Sequence, residues 1–312
     1  MHLGNGAITP ECAAVTLAVA GGGLALAGRN LQRVGLNRDQ IGTAGAMTAA
    51  LFAAQMVNFP VLPWTSGHLI GGVLAARVLG PSLGALTMSI VLTIQALTLG
   101  DGGLAALGAN IVNMALLPAG MVALVRERIG KLRVAGLAAA SVMGAALLML
   151  AEIALNPQAA SGPDFFNFAW RMIAIHGWIA VPEALLTVGV LQLLGADSSP
   201  GQLRLDALRK AACYGSAVFF VLCLLPHTSL WPDGYESAAR NSGLIGLLTE
   251  DQESLARVGR LNSAAASCQR EIVTWVQTLF STDQFLGLIA MSLAATAATA
   301  VARVFTPTSP TR

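Results

Sequence analysis

The sequence predicts an all-α polytopic membrane protein: a core of seven helices, then two further transmembrane helices with an extracytoplasmic loop domain between them. Three observations carry that reading. Hydrophobic residues make up 55% of the 312 and charged residues only 11%, less than half the roughly 25% charge of a soluble domain. Mean hydropathy is +0.67. The apolar residues fall into runs near the roughly 20 that a helix needs to cross hydrocarbon, and Gly, Pro and basic residues punctuate them.

On that template the core helices lie near residues 10–28, 41–57, 67–80, 82–99, 104–125, 134–155 and 172–195, and two more near 211–226 and 284–303. The third is short, so its ends are expected to be re-entrant. Basic residues in the loops set the orientation. With the N-terminus outside, the cytoplasmic side receives Arg29, Arg33, Arg38, Arg77, Arg126, Arg128, Lys131, Arg133, Arg204, Arg209, Lys210, Arg303 and Arg312, thirteen of the eighteen Lys and Arg. An extracytoplasmic N-terminus follows. The opening apolar run lacks the basic start of a signal peptide, because the first Lys or Arg is Arg29. Met1 is therefore expected to be retained and unblocked.

The outside then holds the tail with its turn at Gly4 and Gly6, and the connections 58–67, 100–103 and 156–171. Irregular backbone at membrane depth is tolerated only when buried in protein or lining a cavity, so the tail is expected to plug inward between helices. Gly67, Gly71, Gly72, Ala75 and Ala76 let helices approach closely. The chain divides into a membrane core over 1–195, a cytoplasmic linker over 196–210 that opens on Asp197-Ser198-Ser199-Pro200-Gly201, and a second unit over 211–312. That unit has two membrane helices around an external segment, 227–283. Apolar residues from Leu244 to Leu279 recur at mixed helical spacings, which predicts amphipathic helices there. His227 opens the segment as an exposed loop residue and a weak alternative ligand.

Composition also narrows function. A net charge of +2 is too small to imply nucleic acid. Cys12, Cys213, Cys223 and Cys268 show no C-x-x-C spacing and read as small apolar filler. There is no H-E-x-x-H, no Ser/His/Asp arrangement and no pair of catalytic carboxylates, so an enzyme or a membrane-bound sensor is disfavoured. Gly130-Lys131 is followed by Leu132 and lacks the upstream Gly of a phosphate loop. Any ATP hydrolysis must come from other chains.

The chemistry begins at Met1-His2-Leu3-Gly4-Asn5-Gly6. A free amine, the deprotonated His2 amide nitrogen and the His2 imidazole Nδ1 close two fused rings on one ion. A fourth nitrogen completes a plane, the geometry that Ni(II) and Cu(II) prefer. Three other His exist: His68, His176 and His227. His68 lies in the Gly-rich break Ser66-Gly67-His68-Leu69 at the mouth of an apolar segment and is the natural fourth donor. The candidate metal ligands are thus Met1, His2 and His68. Asn58 and Ser66, beside that loop, are candidates for supporting it. Gln55, Asn110 and Asn113 either orient these donors or bond between helices, and Asp101 reads as shaping a Gly-rich turn. His176 and Glu183 lie seven residues apart on one face of a helix. Ionisable residues inside membrane segments are functional candidates, and a structural bond across the bundle is the alternative.

These motifs, with Gln55-Met56-Val57-Asn58-Phe59-Pro60, Thr65-Ser66-Gly67-His68-Leu69-Ile70-Gly71-Gly72, Gly100-Asp101-Gly102-Gly103 and Gly108-Ala109-Asn110-Ile111-Val112-Asn113-Met114, resemble the CbiM/NikM family. Its members are the metal-binding S-components of energy-coupling-factor transporters for cobalt and nickel. The resemblance covers roughly residues 1–195. It implies a seven-helix S-component core that captures Ni(II) or Co(II) as cargo and holds no permanent cofactor. It also implies a transmembrane coupling (T) subunit, a pair of cytoplasmic ATPases and the cytoplasmic (inner) membrane of a prokaryote. The family similarly pairs a His with a Glu where His176 and Glu183 stand. One departure is Asn5, where members usually carry an acid, which would make the entrance less anionic. Trp231-Pro232-Asp233-Gly234-Tyr235-Glu236 resembles the Pro-Asp-Gly-Leu-Glu motif of the NikN-like accessory component, with Tyr235 in place of Leu. The competing reading is a stand-alone proton-coupled metal permease, with His176 and Glu183 as relay groups.

Overall fold

The computed structural model describes residues 2–125, 129–160, 163–195, 200, 205–248, 259–280 and 282–307. Met1, most of the hinge at 197–201 and residues 249–258 lie outside the described residues. The fold is a helical membrane bundle, 78% helix and 2% strand. It runs α1 (Pro10–Val34), α2 (Arg38–Met56), β1 (Phe59–Leu62), β2 (Thr65–Gly67), α3 (Gly72–Leu79), α4 (Pro81–Thr98), α5 (Leu107–Leu124), α6 (Lys131–Ala154), α7 (Pro163–Leu193) and α8 (Ala207–His227). Then come α9 (Gly234–Asn241), α10 (Arg260–Thr278) and α11 (Asp283–Arg303).

Each membrane run of the sequence contains a helix here, but the third, expected over 67–80, is helical only over Gly72–Leu79, because Gly67 ends a strand and residues 68–71 form a non-helical turn. Among the described residues, seven helices are long and apolar enough to cross a membrane: α1, α4, α5, α6, α7, α8 and α11. α2 has 19 residues and α3 only eight. The start signals are local. Thr9 accepts the Cys12 amide ahead of Pro10, and Asn37 forms a reciprocal capping box with Gln40. α7 starts about nine residues before the expected 172, because the aromatic-rich stretch from Phe165 to Trp170 continues the apolar helix toward its N-terminus. It carries Pro182 inside, where packing against neighbouring helices compensates for the missing amide donor. The amphipathic pattern after residue 244 becomes a 3₁₀ turn at Ile245–Leu247 and α10. The hairpin β1–β2, with Phe59 opposite Gly67 and an irregularity between Pro60 and Leu62, was not legible in the sequence. Two prolines and seven strand residues leave no alternation to read.

Packing follows from composition. α6 lies along α7, α2 sits between α8 and α11, and α1 lies against α4 and α5. Val15, Leu17, Val19 and Leu26 of α1 are more than half exposed, as apolar side chains facing lipid would be. Close approach depends on small residues. A Cβ on Gly108 of α5 would collide with the backbone of Thr16 and Leu17 on α1, and one on Gly84 of α4 would lie 2.7 Å from the Ala76 Cα of α3. At Val112–Leu116 α5 loosens into a π-bulge just past Asn110, the kind of irregularity that often marks functional sites. There Asn113 donates to Glu152 of α6 at 2.8 Å.

Connections 57–71 and 99–106, the tail and segment 228–233 gather at one end of the bundle. Gly35, Gly80 and Phe305 mark the other, where the Leu36 amide donates to the Phe305 carbonyl at 2.8 Å. Gly108→Ala is expected to destabilise the protein by about 1–3 kcal/mol, seen as a lower Tm in detergent. Gly120→Ala, which meets open space inside a helix, does not lower the Tm and is expected to raise it slightly.

Candidate metal centre

The tail is held by its backbone. Leu3, Ala7 and Ile8 are fully buried, and the buried tail amides and carbonyls that the structure pairs meet protein partners. Asn110 of α5 clasps Leu3 from both sides, accepting its N–H at 2.9 Å and donating to its C=O at 3.1 Å. The Gly103 amide also donates to the Leu3 carbonyl at 2.8 Å. The next turn closes with Ala7 N–H on the Gly4 carbonyl. Gly102 has φ of +86°, and a Cβ on Gly103 would collide with the Asn5 amide. Glycine is therefore what lets the 100–103 loop lie flat against the tail.

This pinning brings His2 and His68 together. Both are buried, with ring centroids 5.3 Å apart and an interplanar angle of 12°. The His2 Nδ1 lies 2.9 Å from Asp101 Oδ1. Asp101 reads from the sequence as a turn residue, yet it faces the candidate donor directly. Burial works to raise the Asp101 carboxyl, but His2 beside it outweighs that and holds it below the ordinary carboxylate range. Burial pushes the His68 imidazole down to about 3, so it stays neutral at any ordinary pH. Its Nδ1 lies 3.1 Å from the Leu69 carbonyl. With the proton there, Nε2 carries the lone pair.

His68 rides on a loop that α7 and α2 fix. Glu183 accepts the Ile70 and Gly71 amides, both at 2.8 Å, and Gln55 donates to the Ile70 carbonyl at 2.6 Å. Gly71 supplies the positive φ, +75°, that the bend requires. His176 does not pair with Glu183; its Nδ1 bonds the Met172 carbonyl at 2.7 Å, one turn back on its own helix. Ser66 donates to the carbonyls of Trp231 and Pro232. The Asn58 backbone pairs with Thr228 and Ser229, while its side chain lines the same cavity as His68. His227 is exposed at the end of α8 and takes no part in that lining.

The cavity has a volume of about 280 Å³ and is lined by Gln55, Met56, Asn58, His68, Leu99, Asp101, Trp231, Asp233 and Glu236. Three carboxylates thus face one small space. Two of them, Asp233 and Glu236, come from the Pro-Asp-Gly segment, where Asp233 caps α9 through the Glu236 amide at 2.8 Å. Gly234 is needed there, because a Cβ would lie 3.1 Å from His176 Cε1. Asn5, by contrast, is not at the entrance: it is fully buried, with its side chain on the Ala105 amide and Gln269. Among the described residues no three His, Cys, Asp or Glu side chains are grouped to hold a metal ion.

The model of the family described as "Cobalt uptake substrate-specific transmembrane region" (CbiM) matches residues 2–199. The chain belongs to the CbiM family. It is 35% identical over 201 residues to a fused nickel transport protein, NikMN, of Rhodobacter capsulatus, covering 60% of this chain and 56% of that one. It is 57% identical over 72 residues to a putative fused NikMN of Archaeoglobus fulgidus, 23% of this chain and 24% of that one. The chain thus spans less than two thirds of either relative. A crystal structure of a truncated transition metal transporter matches with a TM-score of 0.53 at 29% identity, over 62% of this chain and 98% of that one. A CbiM/NikM-type core with a NikN-like segment on the same chain, in a multi-pass membrane protein of a cobalt and nickel transport family, is what these findings support.

Removing the Glu183 carboxylate leaves two buried amides unpartnered, at about 1–3 kcal/mol each. Glu183→Ala is expected to lower both Tm and nickel affinity. Glu183→Gln, which keeps one acceptor oxygen, should lie between Ala and wild type. Equal nickel affinity in all three, by titration, would refute a positioning role for this carboxylate.

Proposed function

We propose that the chain is the substrate-binding S-component of an energy-coupling-factor importer for Ni(II) or Co(II), with its accessory component fused as residues 211–312. The observation that carries this reading is the buried juxtaposition of His2 and His68, 5.3 Å apart beside Asp101. The ligands are the Met1 amine, the His2 amide nitrogen and imidazole, and His68. Met1 itself lies outside the described residues. Two imidazoles alone would hold an ion weakly; amine and amide nitrogens complete a four-nitrogen plane suited to nickel. Binding releases protons from the amine and amide, so affinity rises with pH. Asp101 lies 2.9 Å from the His2 imidazole Nδ1 and, when the ion takes that nitrogen, would lie beside a cation.

The three carboxylates around the cavity favour entry of a cation from that end of the bundle, the extracytoplasmic end in this reading. The chain carries no phosphate loop, so the cycle is driven by a T subunit and two ATPase subunits. His176 and Glu183 each bond backbone groups, which favours positioning over the proton relay of a permease.

Nickel titration of the purified protein is expected to give one site with a visible square-planar band. His2→Ala, His68→Ala and a variant with one residue added before Met1 should each lose it. Retained binding in the extended variant would sink the amine chelate. In whole cells, uptake should vanish when the partner ATPases are deleted. Undiminished, proton-dependent uptake would establish the permease instead.

A further inference from the structure

One side chain outside the site joins the tail to the Asp101 loop and the end of α4. Gln269 lies on α10, is 4% exposed, and makes four hydrogen bonds. Its Oε1 accepts from Asn5 Nδ2 at 2.8 Å and from the Leu104 amide at 3.0 Å. Its Nε2 donates to the Ala96 carbonyl at 2.9 Å and to the Gly102 carbonyl at 2.7 Å. A primary amide has two acceptor positions and two donors, and here all four are used. The partners belong to the tail, the end of α4 and the loop that carries Asp101.

The orientation of both amides follows from the backbone. Leu104 N–H admits only an oxygen at Gln269 Oε1, and two carbonyls admit only the NH₂ group on the other side. Ala105 N–H fixes Asn5 Oδ1 in the same way, which turns the Asn5 NH₂ toward Gln269. Two residues along from Asn110's grip on Leu3, this is the second point at which the tail is clamped. Asn262, seven residues before Gln269 on α10, adds a third by donating to the Asn5 and Ile8 carbonyls at 3.1 and 2.8 Å.

The geometry points to Gln269 as a positioning residue of the metal site, acting through an Asn5–Gln269 amide latch that registers His2 against the Asp101 loop. The inference rests on the N-terminal chelate proposed above. It makes α10, from the C-terminal third of the chain, part of the binding machinery although it contributes no ligand. The latch is specific in its donors and acceptors. An Asp at position 5 has no hydrogen to give and would set carboxylate oxygen against Gln269 Oε1. A Glu at position 269 would turn its second oxygen on the carbonyls of Ala96 and Gly102.

The test uses the full-length protein in detergent, titrated with nickel ions alone, and compares Asn5→Asp, Gln269→Glu and Gln269→Leu with wild type and His2→Ala. Loss of a residue that orients metal ligands typically weakens affinity about 10- to 100-fold, and both near-isosteric variants are expected to reach at least tenfold. Their visible nickel band is expected to shift in wavelength, a signature that loss of fold stability alone does not produce. Gln269→Leu removes all four bonds; if it does not fold, the two near-isosteric variants carry the test. Wild-type affinity and spectrum in both Asn5→Asp and Gln269→Glu would overturn the latch, whatever happens to Tm. Retained binding and band in His2→Ala would overturn the chelate itself and leave a distinguishable result.

Discussion

Everything in this structure turns on how an irregular stretch of backbone is accommodated inside a helical membrane bundle. Residues 2–9 have no helix to satisfy their peptide groups, and Leu3, Ala7 and Ile8 have no exposed surface. Hydrocarbon offers no hydrogen bonds, so protein must. Asn110, the Gly103 amide and Asn262 supply them. Those polar residues sit in apolar surroundings because the tail lies among them, and the glycines at 102 and 103 clear its path. His2 is where it is because Leu3 is clasped.

The same principle explains the second wall. His68 stands on a non-helical turn between a hairpin and a two-turn helix, and Glu183 and Gln55 bond that turn's backbone. Beyond it, the hairpin is tied to segment 228–237 through Ser66 and through Thr65, whose hydroxyl meets Ser237 at 2.7 Å. The site is therefore assembled from parts that are each fixed by backbone hydrogen bonds to side chains of other elements. Rigid support of that sort is what a selective metal site requires.

The helices were legible in the sequence because membrane crossing imposes length and apolarity directly on composition. The pairing of His2 with His68 was legible through chelate chemistry and the scarcity of His. The support was not. Gln269 and Asn262 sit in a polar amphipathic helix where an amide looks like any solvated residue, and only the fold shows them buried. Asp101 read as a turn residue because it lies between glycines, and its contact with His2 depends on where the tail ends up. Glu183 was marked as unusual on a membrane helix, but seven-residue spacing suggested His176 as its partner. The structure gives it two backbone amides instead. Pairwise spacing along one helix cannot reveal a partner on a loop 112 residues away.

The Asn5–Gln269 bond closes a separation of 264 residues. Synthesis reaches Gln269 long after Asn5, so the tail waits for α10 before this clamp exists. Contacts of such long separation form late, since the intervening loop must be closed first. During biogenesis, then, the first eight or nine residues enter the membrane environment with their final hydrogen-bond partners unmade. Completion of the C-terminal helices and seating of the tail become one event. A nascent or truncated chain has the tail without its Gln269 clamp, which ties the seating of His2 beside His68 to completion of α10.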